Sequence, residues 1–169
     1  MKIREATKAD AHAIAEVHVA AWRSAYRGLL PDAVIAALTV EERRAFWKDM
    51  LAKTAASKVA VGESDGAIAA FCSYGPTRDA DDPEAAEIYA LYVHPAMWRQ
   101  GCGRALCEHA WREAARREHT AITLWVMKGN DRALRFYEHI GFAADGAQRT
   151  DARLIDTRFD ELRYRKPIA

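Results

Sequence analysis

The sequence predicts a single α/β domain over residues 1–169. Three observations support this fold class: a mostly helical N-terminal third, a hairpin signal that follows it, and strands that alternate with helices further along the chain. A chain of 169 residues is long enough to bury one compact core. Half of the residues are hydrophobic and 29% are charged, a composition typical of globular proteins.

The N-terminal third is predicted to contain a short strand followed by helices. KIRE, residues 2–5, is typical of a strand, and Thr7 with Asp10 can cap the helix after it. Thr39 with Glu42 forms a capping box for a later helix. Apolar residues at helical spacing predict the buried face of the first helix: Ile14, Val17, His18, Ala21, Trp22 and Ala25.

Strand signals dominate the rest of the chain. Asp65 and Gly66 mark the turn of a β-hairpin. EIYALYV (87–93) and AITLWVM (121–127) are rich in β-branched and aromatic residues, as strands are. From Phe142 onward we expect two more strands joined by a polar turn.

Charge and cysteine content narrow the functional classes. A net charge of +1 argues against a protein that coats nucleic acid or an anionic membrane. No apolar run approaches the roughly 20 residues that span a bilayer. The three cysteines and six histidines show no metal-binding spacing. We therefore expect a cytoplasmic protein with no metal and with no nucleic-acid or membrane partner.

The segment HPAMWRQGCGRAL, residues 94–106, joins a predicted strand to a predicted helix. A helix start presents unpaired N–H groups and the positive end of the helix dipole, which together favour an anion. Gly101 and Gly103 leave the backbone bare, while Arg99 and Arg104 add charge suited to phosphate. The pattern predicts a phosphate or pyrophosphate site; the alternative is a tight strand-to-helix turn.

Two polar residues in otherwise apolar elements are catalytic candidates. Period-two alternation predicts that Glu87 shares a face with Tyr89, Leu91 and Val93, partly apolar surroundings that would raise its pKa toward the range of a general base. The alternative is a solvated carboxylate at a strand edge. Tyr137 lies on the inward face of a helix, where its phenol can protonate a leaving thiolate or serve only as a satisfied core group.

Two motifs, AEIYALYVHPAMWRQGCGRAL (86–106) and GNDRALRFYEHIGF (129–142), resemble the GNAT superfamily of acetyl-CoA-dependent N-acyltransferases. The resemblance implies a mixed, mostly antiparallel sheet of about seven strands, flanked by helices, with a splayed pair of strands at the cofactor site. It implies direct transfer of an acetyl group from acetyl-CoA to a primary amine of a small molecule or peptide. A catalytically silent acyl-CoA sensor or regulatory module is the alternative.

The resemblance also assigns roles to individual residues. Tyr137 matches the tyrosine that protonates the thiolate, and Glu87 stands where several relatives keep their general base. Trp98 departs from the Arg or Gln that is common at its position, so we expect it to alter cofactor affinity modestly. The residues expected to bind acetyl-CoA are Leu91, Val93, Arg99, Gln100, Gly101, Cys102, Gly103, Arg104, Asn130, Ala133 and Phe136.

The acceptor is poorly determined by the sequence. Trp22, Tyr26 and Tyr89 are candidates for its binding site, and Arg23 with Arg27 could hold a carboxylate. The alternative is a core tryptophan beside solvated arginines. The acidic segment DADDPE, residues 79–84, either attracts cations or is a solvated loop. Because homodimers are common among GNAT proteins, the resemblance also implies a possible homodimer.

Overall fold

A computed structural model describes residues 1–53, 56–151 and 158–168. These residues contain seven strands and five α-helices, as well as two short 3-10 turns. The strands are β1 Lys2–Glu5, β2 Lys58–Ser64, β3 Ala67–Pro76, β4 Ala86–Val93, β5 Ala121–Met127, β6 Ala143–Asp151 and β7 Phe159–Pro167. The helices are α1 Ala11–Ala25, α2 Asp32–Ala37, α3 Val40–Ala52, α4 Cys102–Arg116 and α5 Asp131–His139.

All seven strands form one open sheet in the order β1-β2-β3-β4-β5-β7-β6. Neighbouring strands are antiparallel except for β4 and β5, which are parallel. The predicted α/β class, with its mixed and mostly antiparallel sheet, is therefore confirmed. The polar turn expected between β6 and β7 falls on residues 152–157, outside the described residues.

Helices cover both faces of the sheet. The buried residues of α4 pack with β3, β4 and β5 in one hydrophobic cluster, which residues of α5 join. The buried residues of α1 pack with Trp47 of α3 and with β2 and β3 in a second cluster on the other face. Local capping chemistry sets the helix starts: Thr39 Oγ1 accepts from Glu42 N at 3.3 Å, as predicted.

The central strands separate part-way along their length. β4 and β5 pair only where Ala86–Ile88 runs beside Ile122–Leu124. Beyond this point β4 continues to Val93 and β5 to Met127 without pairing. This is the predicted splayed pair, and it leaves one backbone edge of each strand without a strand partner.

β4 contains a bulge. Ser73 of β3 pairs with Ala90, but the next residue, Tyr74, pairs with Ile88. Tyr89 is therefore the extra residue in β4. A bulge of this kind reverses the face to which each later side chain points.

The bulge overturns one prediction about β4. Ile88 packs in the same hydrophobic cluster as Leu91 and Val93, on the α4 side of the sheet. Glu87 precedes Ile88 and so points to the opposite side. The prediction that Glu87 shares a face with Leu91 and Val93 is wrong, because simple alternation fails where β4 has one residue more than β3.

The acidic segment 79–84 is tied to β7. Arg163 of β7 donates to Asp81 Oδ1 at 2.7 Å and to Asp145 Oδ2 at 2.6 Å. Arg165 donates to Asp82 Oδ2 at 2.9 Å. The solvated loop of the sequence analysis is thus a structured segment held by buried and half-buried guanidinium groups.

Candidate active site

A cavity of about 580 Å³ opens where β4 and β5 diverge. Its walls come from α1, β4, the glycine turn before α4, β5, α5 and β7. The predicted site residues that line it are Trp22, Tyr26, Tyr89, Leu91, Val93, Arg99, Gly101, Cys102, Gly103, Arg104, Asn130, Ala133, Phe136 and Tyr137. The separation of β4 and β5 therefore brings predicted residues of α1, β4, the glycine turn and α5 around one cavity.

The glycine turn forms one end of the cavity. Arg99 (φ 63°) and Gly101 (φ 82°) both adopt left-handed backbone conformations directly before α4. Alternating conformations of this kind turn successive N–H groups toward one point and make an anion-binding concavity. The first N–H groups of α4 have no partner inside the helix. The local backbone is thus shaped to receive an anion.

Gly103 lies where the glycine turn packs closely against β4 and α5. A Cβ atom on Gly103 would lie 3.2 Å from Phe136 Cζ and 3.5 Å from Val93 Cγ2. The first distance is shorter than a normal contact, so a side chain there would crowd Phe136. The absence of a Cβ lets the turn, β4 and α5 approach each other closely.

Trp98 and Arg132 stand at the mouth of the cavity. Trp98 Nε1 donates to Val93 O at 2.8 Å, which fixes the indole against the end of β4. Arg132 Cζ lies 3.7 Å from the centroid of the Trp98 ring, and burial lowers the pKa of Arg132. Trp98 thus holds a cation at the mouth. Sequence reasoning missed Arg132 because an arginine on a helix surface carries no distinctive signal.

Tyr137 points into the cavity from α5. Its ring packs against Phe136 and Phe142, with centroids 5.1 Å and 5.8 Å away. Burial raises the pKa of the Tyr137 phenol well above its usual value. The phenol therefore stays protonated at neutral pH and is available as a proton donor.

Two further tyrosines border the same space. Tyr26 and Tyr92 both line it, and burial raises the pKa of each phenol. Trp22 packs on Tyr26, with ring centroids 4.3 Å apart. Tyr92 was not among the predicted site residues, since in strand β4 it reads as an ordinary aromatic.

Glu87 does not reach the cavity. Its side chain is fully buried, and both carboxylate oxygens accept from Arg78. The Arg78 backbone N–H also donates to Glu87 Oε2, at 3.0 Å. Arg78 itself lines the cavity, so Glu87 borders the site through its ion-pair partner. Gln100 is the other predicted residue outside the lining, and its amide donates to Ala96 O.

Glu161 is the carboxylate that lines the cavity. It lies on β7, its side chain is 13% exposed, and it accepts from Arg149 Nε at 2.7 Å. Arg149 in turn lies over the ring of Trp125 at 4.2 Å. The sequence analysis missed all three residues, because only the sheet brings β5, β6 and β7 to one wall of the cavity.

Comparison with known proteins identifies the family. The family model described as "Acetyltransferase (GNAT) family" matches residues 12–142. The chain belongs to this family. It is 29% identical over 136 residues to an uncharacterized N-acetyltransferase, YuaI of Bacillus subtilis, covering 80% of this chain and 76% of YuaI. It is also 29% identical over 145 residues to the L-amino acid N-acyltransferase MnaT of Escherichia coli, covering 84% and 79% of the two chains.

Solved structures show the same fold. The PaiA N-acetyltransferase of Thermoplasma acidophilum, solved in complex with coenzyme A, superposes with a TM-score of 0.80 at 17% identity, covering 99% of this chain and 98% of that one. YncA of Salmonella typhimurium, a putative acetyltransferase solved with acetyl-CoA, gives a TM-score of 0.70 at 22% identity, covering 100% and 94%. The GNAT fold of this chain is thus shown by structure as well as by sequence.

The residues of this GNAT protein fit the acetyl-CoA that its family uses. The concavity formed by Arg99 and Gly101 suits a pyrophosphate, and Arg132 adds positive charge beside it. The unpaired edge of β4 beyond Ile88 offers N–H and C=O groups to the amides of the pantetheine arm. The cavity is therefore lined by the glycine turn, by the Arg132 guanidinium and by the unpaired edge of β4.

The described residues hold neither a metal cluster nor a membrane span. No group of three or more His, Cys, Asp or Glu side chains among them could hold a metal ion. No helix among them has the length and hydrophobicity that a bilayer crossing requires.

Proposed function

We propose that this chain is an N-acetyltransferase that moves an acetyl group from acetyl-CoA directly to a primary amine of a small molecule or peptide. The observation that carries this proposal is the continuous cavity from the glycine turn, through the gap between β4 and β5, to Tyr137. An anion site at one end and a proton donor inside the gap are the two features that thioester transfer needs.

The glycine turn and β4 bind and orient the donor. The N–H groups from Arg99 to Arg104 hold the pyrophosphate, with Asn130, Ala133 and Phe136 along the arm. Leu91 and Val93 present the free edge of β4. Cys102 is 3% exposed and packs in the core, so we assign it no covalent role.

Tyr137 completes the transfer step. The amine nitrogen forms a bond to the acetyl carbon while the carbon–sulfur bond breaks, and Tyr137 gives its proton to the departing thiolate. Backbone N–H groups on the free edge of β4 polarise the thioester carbonyl. Because burial raises the pKa of the phenol, Tyr137 is in its acid form at neutral pH when the thiolate departs.

The attacking amine must first lose a proton, because an ordinary alkylammonium has a pKa near 10. Glu87 was predicted to be the base, but its carboxylate contacts Arg78 and not the cavity. We therefore propose Glu161, which borders the cavity, as the proton acceptor, with Glu87 fixing Arg78 in place. The base role of Glu87 stays a prediction. Glu161→Gln and Glu87→Gln variants test the two assignments against each other.

The relatives support a primary-amine acceptor. MnaT is named an L-amino acid N-acyltransferase, and another relative from Escherichia coli is named a ribosomal protein bS18-alanine N-acetyltransferase, 33% identical over 86 residues. Both names specify an amine, one in a small molecule and one in a protein. Cytoplasmic localisation and a homodimer stay predictions.

The test is release of free thiol from acetyl-CoA with a panel of primary amines. We expect amine-dependent release by the wild-type protein. Binding of acetyl-CoA without thiol release from any amine would favour the alternative, a silent acyl-CoA sensor. Failure of the protein to bind coenzyme A by calorimetry would overturn both.

A further inference from the structure

A second cavity of about 500 Å³ lies on the opposite face of β4, beneath α1 and α3. It meets the first cavity at a shared wall, since five residues line both: Trp22, Arg78, Tyr89, Ala90 and Tyr92. The bulge at Tyr89 creates this arrangement, because it places Ala90 and Tyr92 on the face of the sheet opposite to Ile88. A ligand in the second cavity can therefore contact residues that also line the gap between β4 and β5, where thioester transfer is proposed.

The lining of the second cavity is mostly aromatic and apolar, with Leu38, Phe46, Trp47, Met50, Trp22 and Tyr92 among its residues. His18 adds an uncharged ring. Trp47 Nε1 donates to His18 Nδ1 at 3.2 Å, and burial lowers the pKa of His18 to about 3. The imidazole is thus neutral at physiological pH and stacks on Tyr92 with centroids 4.5 Å apart. A flat or branched apolar group fits these walls.

The charge of this lining is positive. Its charged residues are Arg43 and Arg78, and no lining residue is acidic. Arg78 is neutralised by Glu87. No carboxylate in the described ranges 1–53, 56–151 and 158–168 forms an ion pair with Arg43. Arg43 Cζ lies 5.0 Å from the centroid of the Phe46 ring, so its charge borders the aromatic part of the lining.

Two buried donors at this cavity lack acceptors. Arg43 Nε and Trp22 Nε1 are both inaccessible to solvent, and no described residue accepts a hydrogen bond from either. Leaving a buried donor unsatisfied costs free energy, so native structures rarely keep such a group without an acceptor. Trp22 is 2% exposed and lines both cavities. A bound oxyanion would satisfy such donors.

We propose that the second cavity is the acceptor site, and that the acceptor is a small primary amine bearing both a carboxylate and an apolar side chain. The carboxylate pairs with Arg43, with the Trp22 N–H as a further donor, and the apolar group lies among Phe46, Trp47 and Met50. The amine then extends past Ala90 and Tyr92, which line both cavities, into the gap between β4 and β5, where it meets the thioester and Glu161. This inference rests on the proposed acetyltransferase function.

The same lining disfavours polycationic acceptors. A polyamine would bring additional positive charge to a cavity lined by the Arg43 guanidinium, which has no carboxylate partner among the described residues. It would also leave Arg43 Nε without an acceptor. Amines that lack a carboxylate, whether monoamines or polyamines, are therefore expected to be poor acceptors.

Matched acceptors test the proposal. Thiol release is measured with L-phenylalanine against 2-phenylethylamine, with L-leucine against 3-methylbutylamine, and with spermidine. We expect kcat/KM to be at least about tenfold higher for each amino acid than for its decarboxylated partner, the range of one charge-assisted hydrogen bond. Spermidine should be the poorest acceptor.

Arg43→Gln and Arg44→Gln form a matched pair of variants. Arg44 is the next residue on α3, is exposed and does not line the cavity. Arg43→Gln should raise KM for the amino acids about tenfold, with little change in kcat or in the use of decarboxylated amines. Arg44→Gln should match the wild type. Unchanged coenzyme A affinity and melting temperature would show that Arg43→Gln folds normally.

The outcomes separate this proposal from the proposed function. Equal use of amino acids and decarboxylated amines, or identical behaviour of the two variants, overturns the acceptor site while the acetyltransferase activity stands. If no amine is acetylated, the proposed acetyltransferase activity is wrong, and the acceptor site is tested by calorimetry with N-acetyl-L-phenylalanine added to the protein saturated with coenzyme A. Binding to the wild type that is lost in Arg43→Gln supports the acceptor site. Absence of binding to the wild type, or equal binding to Arg43→Gln, overturns it.

Discussion

Arg132 lies face-on over the indole of Trp98, its Cζ 3.7 Å from the ring centroid, while the indole N–H is bonded to Val93 O. The pair joins α5 to the end of β4, and both residues line the cavity between β4 and β5. Trp98 stands where the family resemblance led us to expect Arg or Gln, and it holds the Arg132 guanidinium of α5 beside the cavity.

Loss of the Arg132 charge should weaken donor binding. We expect Arg132→Gln to raise the Kd for coenzyme A about tenfold, because a partly desolvated guanidinium contributes on the order of 1–2 kcal/mol to phosphate binding. Calorimetry with coenzyme A measures this. Arg135→Gln, an exposed position one turn further along α5, is the control and should leave Kd unchanged. Equal affinities for both variants would show that Arg132 does not touch the phosphates.

Removal of the Tyr137 hydroxyl should slow the chemical step. Tyr137→Phe is expected to lower kcat by roughly 10² to 10⁴-fold with coenzyme A affinity retained. Because burial raises the pKa of Tyr137, its acid form persists as pH rises, and any loss of activity from its deprotonation appears only well above pH 10. Steady-state thiol release from pH 6 to 10 measures both. The control is Tyr164→Phe, because the hydroxyl of Tyr164 donates to Glu138 Oε1 and does not line the cavity. A wild-type rate for Tyr137→Phe would contradict the assignment.

Two glutamates compete for the role of base. We expect Glu161→Gln to lower kcat/KM about a hundredfold with an unchanged melting temperature, because it removes the carboxylate that borders the cavity. Glu87→Gln should instead lower the melting temperature and keep most of the activity, because it leaves Arg78 without its buried partner. The kcat/KM and the melting temperature of both variants decide between the two glutamates. The reverse pattern would assign the base to Glu87.

The buried imidazole of His18 should make stability depend on pH. Burial lowers the pKa of His18 to about 3, whereas an unfolded histidine titrates near 6.5. The unfolded chain therefore binds the proton first, so the free energy of unfolding is highest above pH 6.5 and falls as the pH drops through the window from 6.5 to 3. Between pH 6.5 and 5 the loss should be about 2 kcal/mol.

Urea denaturation at pH 7.5 and 5.0 measures this effect. His18→Gln keeps an acceptor for Trp47 Nε1 but cannot titrate, so its stability should change less between the two pH values. His12→Gln, an exposed histidine on the same helix, should retain the wild-type difference. A difference of wild-type size in His18→Gln would assign the pH dependence to other groups.

Short-range features of the fold were accessible from sequence. The capping box of Thr39 and Glu42 and the hairpin turn at Asp65 and Gly66 occur as predicted. Each depends on residues within four positions of one another, so the pattern carries the whole interaction. The glycine turn before α4 belongs to this class as well, since Gly101 adopts the backbone conformation that its residue type favours.

The roles of the carboxylates and the acceptor side of the site needed the tertiary structure. The bulge at Tyr89 exists only relative to the pairing of β4 with β3, and it decides that Glu87 does not share a face with Leu91 and Val93. Arg43 on α3 lines the same cavity as His18 and Tyr92 only because α1 and α3 pack on the same face of the sheet.

The sequence by itself determined the strands, the helices, their caps and the left-handed glycine turn before α4, because the energetics of these features are local along the chain. The tertiary structure decided which carboxylate borders the cavity, which cation stands at its mouth and where a second cavity opens. Those outcomes depend on contacts between residues tens of positions apart, whose geometry is set by strand register and helix packing.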